Sequence, residues 1–460
     1  LSVFIPTAFI PGISGQLYSQ FAVAVSVSMV ISAINALSLS PALCSLILRH
    51  RKKPTGLAAR LQNGIDKTRD GYVRVVTPLA RRGFVSLLLV AGFVAATGGL
   101  GALVPSGFLP DEDQGAFMAE LQLPDASSTN RTLAAVEQVE NIVAGKPWLQ
   151  SVFSVSGYSL LDGLALPNRA LVIVALKPFG ERKDPALSVF RALEELNAAF
   201  TQVAVANVFA FNLPPIMGLG NSSGFEFQLE SLSGAAPADL AAVARGLMQA
   251  AQQVPQLAGV FTTYGAATPQ INLKLDRERA QSLGVNIADI FSALQTSMGG
   301  TYTNDFNLFG RTWQVKVQAE AADRKTVNDV YRVRVRSSSG ELVPLQAVAD
   351  VELITAPSSI IRYNNLRSVT INGAPAPGYS SGDALAAMEK LAKATLPAGY
   401  AYEWTGTALQ EKAASGQTGF ILGLALVFAY LFLVGLYEST AIQVAALLSV
   451  VVGLFGAMLA

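Results

Sequence analysis

The sequence has one histidine, one cysteine and few charged residues, and each shortage excludes a class of protein. His50 is the only histidine, so this chain cannot by itself build a Ser-His-Asp or Cys-His catalytic arrangement. Because Cys44 is the only cysteine, no disulfide can form within the chain and no cysteine-based metal site is possible. The phosphate-binding pattern GxxxxGK[ST] is also missing, which argues against an ATP-driven pump on this chain.

Charge is scarce along the whole chain. Charged residues make up 14% of the 460 residues and hydrophobic residues 51%, whereas soluble proteins average about 25% charged residues. This shortage predicts membrane-spanning helices, and the net charge of +1 gives no support for a nucleic-acid partner. The sequence starts at Leu1 and ends inside an apolar run at Ala460, so we expect the middle of a larger protein.

Four apolar segments are predicted to cross a membrane: 17–48, 84–104, 420–436 (extended backwards to 418) and 440–460. Residues 1–10 predict the end of a preceding membrane helix. Residues 49–83 contain ten Lys or Arg against two Asp, which places this segment in the cytoplasm by the positive-inside rule. Its apolar stripe predicts a helix lying on the membrane surface, with a solvated basic linker as the alternative. Residues 105–417 then lie outside the cytoplasm.

The outer segment shows an α+β pattern that occurs twice. The first occurrence predicts a split βαβ unit, with strands at 115–123, 150–157, 170–177 and 203–211, and helices at 128–144 and from Asp184-Pro185. The second predicts strands at 225–231, 258–264, 368–373 and 399–404, and helices at 238–253 and 382–395. Between its halves, residues 265–366 predict an inserted module with strands at 270–276, 313–319, 330–336 and 348–355 and a helix near 286–297.

Three features of the outer segment are candidates for chemistry. Asp111, Glu112 and Asp113 could bind a cation or transfer protons, although such a cluster often merely ends a helix. The stretches 153–160 and 209–217 place apolar side chains on one strand face, which is either plain core or an apolar pocket between split βαβ units. Met118 and Met217 could be soft metal ligands or core residues.

Several motifs make the chain resemble the resistance-nodulation-division (RND) transporters, specifically the hydrophobe/amphiphile efflux branch. The matching stretches lie in the right order over nearly the whole chain and are Leu39–Cys44, Gly107–Gly115, Val208–Pro214, Asp276–Gly284, Gly299–Tyr302 with Asn304–Phe306, Tyr402–Gly406 and Leu436–Ser439.

The resemblance implies a domain plan. Residues 1–48 would hold the end of the fifth membrane helix and the sixth, and 84–104, 418–436 and 440–460 the seventh, eighth and a truncated ninth. A first pore subdomain would span 105–218, a second 219–264 and 367–410, and a docking subdomain 265–366. The protein would lie in the inner membrane of a Gram-negative bacterium, with a large periplasmic domain.

The resemblance also implies a mechanism. Relatives of this branch are homotrimers that couple proton influx to the efflux of lipophilic and amphiphilic compounds. They work with a periplasmic adaptor protein and an outer-membrane channel. No enzyme activity and no cofactor beyond the proton gradient are implied, and the proton-carrying residues of the family lie outside this chain.

The family's substrate pocket can be carried over position by position. It falls on Met118, Phe153, Val155, Tyr158, Leu160, Ile173, Phe209, Phe211 and Leu213. A mobile loop would run from Gly157 through Asp162 to Asn168. This loop is about two residues longer than in well-known drug pumps, and Leu160 and Ile173 replace the usual phenylalanines. An arginine expected in the outer pocket corresponds to Thr262 or a neighbour, so we expect weaker stacking on aromatic compounds.

Other functions stay open on the sequence alone. Within the superfamily, a metal-ion exporter would make Met118 and Met217 important, and a lipid exporter is a further possibility. A membrane-anchored assembly or structural protein of the envelope belongs to a different class. Two acids in a membrane helix of the adjoining upstream sequence would favour the proton-driven pump.

Overall fold

The structure, a computed structural model, describes residues 12–47, 57–104, 107, 109–216 and 218–459. The predicted helix end at 1–10, residues 49–56 of the basic segment and Met217 lie outside the described residues.

Three helices begin the described chain: α1 (Gly12–Ile47), α2 (Leu57–Arg81) and α3 (Gly83–Leu103). Parts of α1 and α3, Tyr18–Ile47 and Gly83–Gly101, are long and apolar enough to cross a membrane. Residues 57–81 of the basic segment form the helix α2. Its apolar side chains Leu61, Ile65 and Tyr72 are all exposed, as expected of a helix whose apolar stripe has no protein partner.

The first α+β unit is a four-stranded antiparallel sheet covered on one face by two helices. Its elements are β1 (Ala116–Gln122), α4 (Thr129–Val143), β2 (Leu149–Ser156), β3 (Arg169–Leu176), α5 (Val189–Phe200) and β4 (Asn207–Asn212). The strand order is β2-β3-β1-β4, that of a split βαβ unit. Alternate strand residues and the inner helix faces form one core that includes Phe117, Trp148 and Phe200.

The predicted helix start at Asp184-Pro185 is wrong in position. Asp184 caps only a turn of 3-10 helix, Pro185–Leu187, by accepting a hydrogen bond from the Ala186 N–H. The α-helix starts after a second cap, Ser188, whose hydroxyl accepts from the Arg191 N–H. Two capping residues four positions apart divide the segment, because each satisfies backbone donors that would otherwise be free.

The second unit is interrupted by the insert. Before it come β5 (Phe225–Ser231), α6 (Pro237–Ala251) and β6 (Leu257–Phe261). The insert itself contains β7 (Thr268–Leu275), α7 (Arg277–Ser282), α8 (Ile287–Leu294), a π-helical turn (Gln295–Gly299), β8 (Thr301–Leu308), β9 (Arg311–Val317), α9 (Val327–Arg332), β10 (Arg334–Arg336), β11 (Leu342–Pro344), β12 (Ala349–Ala356) and β13 (Arg362–Tyr363). It packs around a core of its own, which includes Ile290 and Leu345.

Two predictions for the insert are corrected. The strand expected at 330–336 is a helix, α9, followed by the short strand β10, because Thr326 and Asp329 form a capping box that starts a helix there. The predicted strand at 313–319 lies in β9, but its antiparallel partner β8 was not predicted. Polar residues interrupt the alternation of β8, and the turn at Phe309-Gly310 has positive φ at both positions.

The second unit closes after the insert with β14 (Leu366–Pro375), α10 (Ser381–Thr395) and β15 (Tyr400–Thr405). Its main strands pair in the order β6-β14-β5-β15, with β13 on the outer part of β14. When the strands are compared by their position along each unit, the second sheet has the same strand order as the first. The chain therefore contains two structurally equivalent sheets, one of them split by an insertion.

Two long helices end the chain, α11 (Gly406–Tyr437) and α12 (Thr440–Leu459), and both are apolar enough to cross a membrane. The span predicted at 418–436 lies within α11, which begins directly after β15. The first turn of α11 places Ala408 in the core of the second unit, so this helix joins the unit to the apolar span without a linker. The helix α12 packs on α3, and the centroids of the Phe93 and Phe455 rings lie 5.2 Å apart there.

Candidate functional site

The first sheet has one face that α4 and α5 leave open. In β1, the core residues Phe117, Ala119 and Leu121 are fully buried under the helices. Side chains of successive strand residues point to opposite faces, so Met118 and Glu120 belong to the open face. The same alternation applies to the other three strands. The open face is therefore formed by the strand residues that alternate with those of the helix-side core.

Strand register brings the predicted pocket residues into two rows across this open face. In the first row Phe153 pairs with Ile173, Ile173 with Met118, and Met118 with Phe211. In the second row Val155 pairs with Leu171, Leu171 with Glu120, and Glu120 with Phe209. Six of the predicted pocket residues thus share one surface, although they come from four separate strands.

These side chains lie outside the helix-side core of the sheet. Phe153 is 63% exposed, and Met118, Val155, Ile173 and Phe211 are partly buried. Aromatic and aliphatic side chains that remain partly exposed to solvent can contact an apolar ligand. The open face is chemically suited to that contact.

The second unit meets the open face through an aromatic contact. The Phe209 ring lies 4.3 Å from the ring of Phe261, at the end of β6, and 6.1 Å from that of Phe211. Thr262, at the position where an arginine was expected, donates its hydroxyl hydrogen to the Thr370 carbonyl over 2.6 Å. That hydroxyl is therefore used within the second sheet.

The predicted mobile loop, 157–168, connects β2 to β3 at the edge of the open face. It closes on itself through hydrogen bonds from the Ser159 N–H to the Leu164 carbonyl and from the Leu166 N–H to the Gly157 carbonyl, both 3.0 Å. Gly157 and Gly163 have φ of +87° and +64°, which a residue with a side chain adopts only at a cost. Tyr158 and Leu160 lie in this loop and are partly buried.

Two predicted residues lie beside the rows rather than in them. Leu213 follows the end of β4 and is partly buried. Asn168 ends the loop, and its side-chain amide donates to the Leu123 carbonyl over 3.2 Å. Of the two methionines considered as metal ligands, Met118 lies between Ile173 and Phe211 in the first row, and Met217 is outside the described residues. No group of three or more potential His, Cys, Asp or Glu ligands occurs in the described part of the chain.

One acid that was not predicted as a site residue lies in the middle of the second row. Glu120 is fully buried, and its carboxylate accepts hydrogen bonds from the Ser159 hydroxyl and, over 3.2 Å, from the Leu161 N–H. Burial raises the pKa of the Glu120 carboxyl, although those hydrogen bonds favour the ionised form. Its even spacing from Met118 could have placed it on the same face.

A second buried charge lies next to it. Arg169, the first residue of β3, donates from Nη2 to the Thr263 carbonyl over 2.7 Å, and the same nitrogen lies 3.8 Å from Asp162 Oδ2. Burial lowers the pKa of Arg169, and the carboxylates of Asp162, Glu120 and Asp125 oppose that shift. The loop, the first sheet and the segment after β6 therefore share one polar cluster.

Of the three acids at 111–113, two are exposed and one is held in contacts with the first unit. Asp111 and Glu112 are exposed, whereas Asp113 forms an ion pair with Arg182, with 2.8 Å between Oδ2 and Nη1. Asp113 also accepts from the N–H groups of Gly115 and Val189, both over 2.9 Å. These contacts hold the start of β1 against the start of α5.

Comparison with known proteins places the whole chain in one group. The model of the AcrB/AcrD/AcrF family matches residues 1–460. Similar curated proteins include the multidrug export protein AcrF of Escherichia coli, 36% identical over 471 residues. They also include the toluene efflux pump membrane transporter TtgB of Pseudomonas putida, 34% identical over 467 residues, and the multidrug resistance protein MdtF of Escherichia coli, 35% identical over 469 residues.

These alignments cover all of this chain but only part of each relative. The covered share is 45% of AcrF and MdtF and 44% of TtgB. The chain thus spans less than half the length of the curated relatives it matches.

Proposed function

Because the chain belongs to the AcrB/AcrD/AcrF family of RND efflux transporters, we propose that the whole protein exports lipophilic and amphiphilic compounds and is driven by a proton gradient. The four apolar spans then lie in the inner membrane of a Gram-negative bacterium. The two sheet units and the insert lie in the periplasm. Three copies work together with an adaptor protein and an outer-membrane channel.

The observation that supports this function best is the open face of the first sheet. Met118, Phe153, Ile173 and Phe211 form one row across four strands, while Phe209 of the neighbouring row touches Phe261 of the second unit. An apolar surface between two units can accept ligands of varied shape, because its contacts are not directional. We assign this surface, with Val155, Tyr158, Leu160 and Leu213 at its borders, as the substrate site.

The two units are the pore subdomains in this proposal, at 105–218 and at 219–264 with 367–410. The insert at 265–366 is the docking subdomain, and its separate core supports its treatment as a module. The loop 157–168 divides the substrate site. The ionisable residues that couple proton flow lie in other membrane helices of the whole protein, since the predicted spans 17–48, 84–104, 420–436 and 440–460 carry no acid or base.

The assignment of the site is tested by Phe211→Ala in the full-length protein, expressed in a host without its own efflux pumps. One aromatic contact contributes roughly 0.5–1.5 kcal/mol beyond its buried area. We therefore expect a several-fold lower minimum inhibitory concentration for at least one lipophilic compound, with an unchanged amount of protein in the membrane.

Phe190→Ala is the matched control, because Phe190 is an exposed phenylalanine on α5, on the helix-covered side of the same unit. Resistance should stay at the wild-type level for this variant. If Phe211→Ala gives wild-type resistance across a broad panel at equal expression, the open face is not the substrate site.

A further inference from the structure

Glu120 is an unusual residue for the surface that it occupies. Its row is otherwise apolar, with Val155 and Leu171 on one side and Phe209 on the other. A buried carboxylate is unfavourable unless it is hydrogen-bonded, and an aliphatic side chain would suit this strand position better. Both described partners of Glu120, Ser159 and Leu161, belong to the loop 157–168. The Glu120 carboxylate therefore holds the loop by accepting two of its hydrogen bonds.

A second attachment joins the same loop to the second unit. Asp162 Oδ1 accepts a hydrogen bond of 2.5 Å from the Thr263 hydroxyl, and Thr263 lies two residues beyond the end of β6. Arg169 donates to the Thr263 carbonyl over 2.7 Å. In addition, the Asn221 side chain donates to the Leu161 carbonyl over 3.4 Å. The loop is thus held by the first sheet on one side and by the second unit on the other.

In the polar cluster around Arg169, not every buried donor has a hydrogen-bond acceptor among the residues that the structure describes. Arg169 Nε and Nη1 are buried and make no hydrogen bond within the described residues. The distance of 3.8 Å between Arg169 and Asp162 is also long for an ion pair. Buried donors without acceptors are unfavourable. If opening the cluster gives Arg169 new acceptors, the free energy gained there offsets part of the free energy needed to break the other contacts. Such a network suits a contact that must open and close.

We propose that Glu120, Asp162 and Arg169 are positioning residues that form a polar latch, which holds the loop 157–168 over the open face and releases it when the two units move apart. This proposal rests on the proposed function, in which the open face is the substrate site. Motion between the units would break the contacts with Thr263 first. The loop would then be held by the first unit alone, through Glu120, Arg169 and the contact of Asn168 with the Leu123 carbonyl. Bulky substrates could then reach the apolar rows.

Hydrogen exchange of the purified full-length protein in lipid nanodiscs tests the latch directly. Glu120→Leu removes both acceptor oxygens and fits the apolar row, whereas Glu120→Gln keeps one acceptor. We expect amide exchange in the peptide that contains Leu161 to be about tenfold faster in Glu120→Leu than in the wild type. In Glu120→Gln it should match the wild type at a pH below the ordinary glutamate pKa of about 4.3, where Glu120 is protonated. Thr263→Val, which removes the donor to Asp162, should also accelerate exchange in the loop.

Glu137→Leu is the control, since Glu137 is an exposed acid on α4, on the opposite side of the same sheet. It should leave exchange of the loop unchanged. The latch is refuted if Glu120→Leu protects the loop as well as wild type does, or if Glu137→Leu changes the loop equally. Neither result depends on transport, so the latch can fail while efflux by the wild type still supports the proposed function.

The pH dependence of the same exchange separates a charged latch from a merely structural one. The groups that face Glu120 are Asp162 on the loop and Arg169 on β3, with Asp125 beside Arg169 and the uncharged Thr263 from the second unit. Burial raises the pKa of Glu120 in the closed state. The closed state therefore binds the proton more tightly than an open, hydrated state, and closure weakens as pH rises through that raised pKa.

The protection factor of the loop should accordingly fall as the pH rises above the ordinary glutamate pKa of about 4.3 and through the raised one. In Glu120→Gln it should stay constant over the same range, because the amide does not titrate. Parallel profiles for the two proteins would overturn the assignment of Glu120.

Discussion

At the scale of single residues, the ion pair between Asp113 and Arg182 is expected to stabilise the first unit because it is largely buried. The Arg182 side chain is 1% exposed and that of Asp113 is 19% exposed. Arg182 also donates to the carbonyls of Lys177 and Leu187, over 2.6 and 3.0 Å. Burial alone would raise the pKa of Asp113, but the hydrogen bonds from Arg182 and the backbone hold it below its usual value. Its contribution is thus present at neutral pH and is lost as pH falls through the lowered pKa.

Arg182→Ala should therefore destabilise the first unit by about 3 kcal/mol, because it leaves a partly buried carboxylate without its cation. The measurement is thermal unfolding of the detergent-solubilised full-length protein, followed by tryptophan fluorescence. Arg191→Ala serves as the control. The Arg191–Glu194 pair is exposed on both sides, and such pairs contribute about 0–1 kcal/mol. Equal shifts of the two variants would show that the buried pair has no special role.

At the scale of elements, the pairing of β5 with β14 depends on a glycine. Gly373 lies opposite Phe225, and a Cβ at position 373 would come within 2.4 Å of the Phe225 ring. Phe225 is 3% exposed and packs against Trp404, with 5.7 Å between the ring centroids. The ring has little room to move, so the strand pair needs a residue without a side chain at this position.

Gly373→Ala should destabilise the second unit by about 1–3 kcal/mol, since overpacking a core forces side chains and backbone to shift. In contrast, Gly246→Ala on the exposed face of α6 meets nothing within 4 Å and should stabilise the helix by about 0.5–1 kcal/mol. Thermal unfolding of both full-length variants measures the difference. A Gly373→Ala protein as stable as wild type would mean that β14 and β5 are not packed in this way.

The sequence could predict most elements of the two units but not their neighbours in space. The strands around Phe117 and Phe227 have clear alternation of apolar and polar residues, so their positions follow from local patterns. β8 was missed because its residues, including Asn304 and Asp305, are polar on both faces and exposed. No local pattern predicts that Glu120 receives a hydrogen bond from Ser159, because 39 residues separate them.

At the scale of the whole molecule, the charge of α2 determines the proposed orientation in the membrane. Because Lys and Arg are concentrated in 49–83, the proposed orientation has this segment in the cytoplasm and both sheet units in the periplasm. The two sides can be distinguished by single cysteines in a cysteine-free background, in which Cys44, the one cysteine of this sequence, and every cysteine in the rest of the full-length protein are replaced by serine.

In that background of the full-length protein, Gln138→Cys on the exposed face of α4 should react with a membrane-impermeant maleimide in cells with a permeable outer membrane. Gln62→Cys on α2 should react only after the inner membrane is disrupted, because the reagent carries a charge and cannot cross it. Gel shifts of the labelled protein measure both reactions. Labelling of Gln62→Cys in cells with an intact inner membrane would contradict the proposed orientation.

The sequence by itself determined the apolar spans, the concentration of basic residues in 49–83 and the strand alternation of both units. It could do so because each depends on residues that are near neighbours along the chain. Only the tertiary structure decided that Phe153, Ile173, Met118 and Phe211 form one row, since that requires the order β2-β3-β1-β4 and the register of each pair. It alone placed Glu120 beneath the loop, because the contact joins groups that the chain brings together only when the sheet has formed.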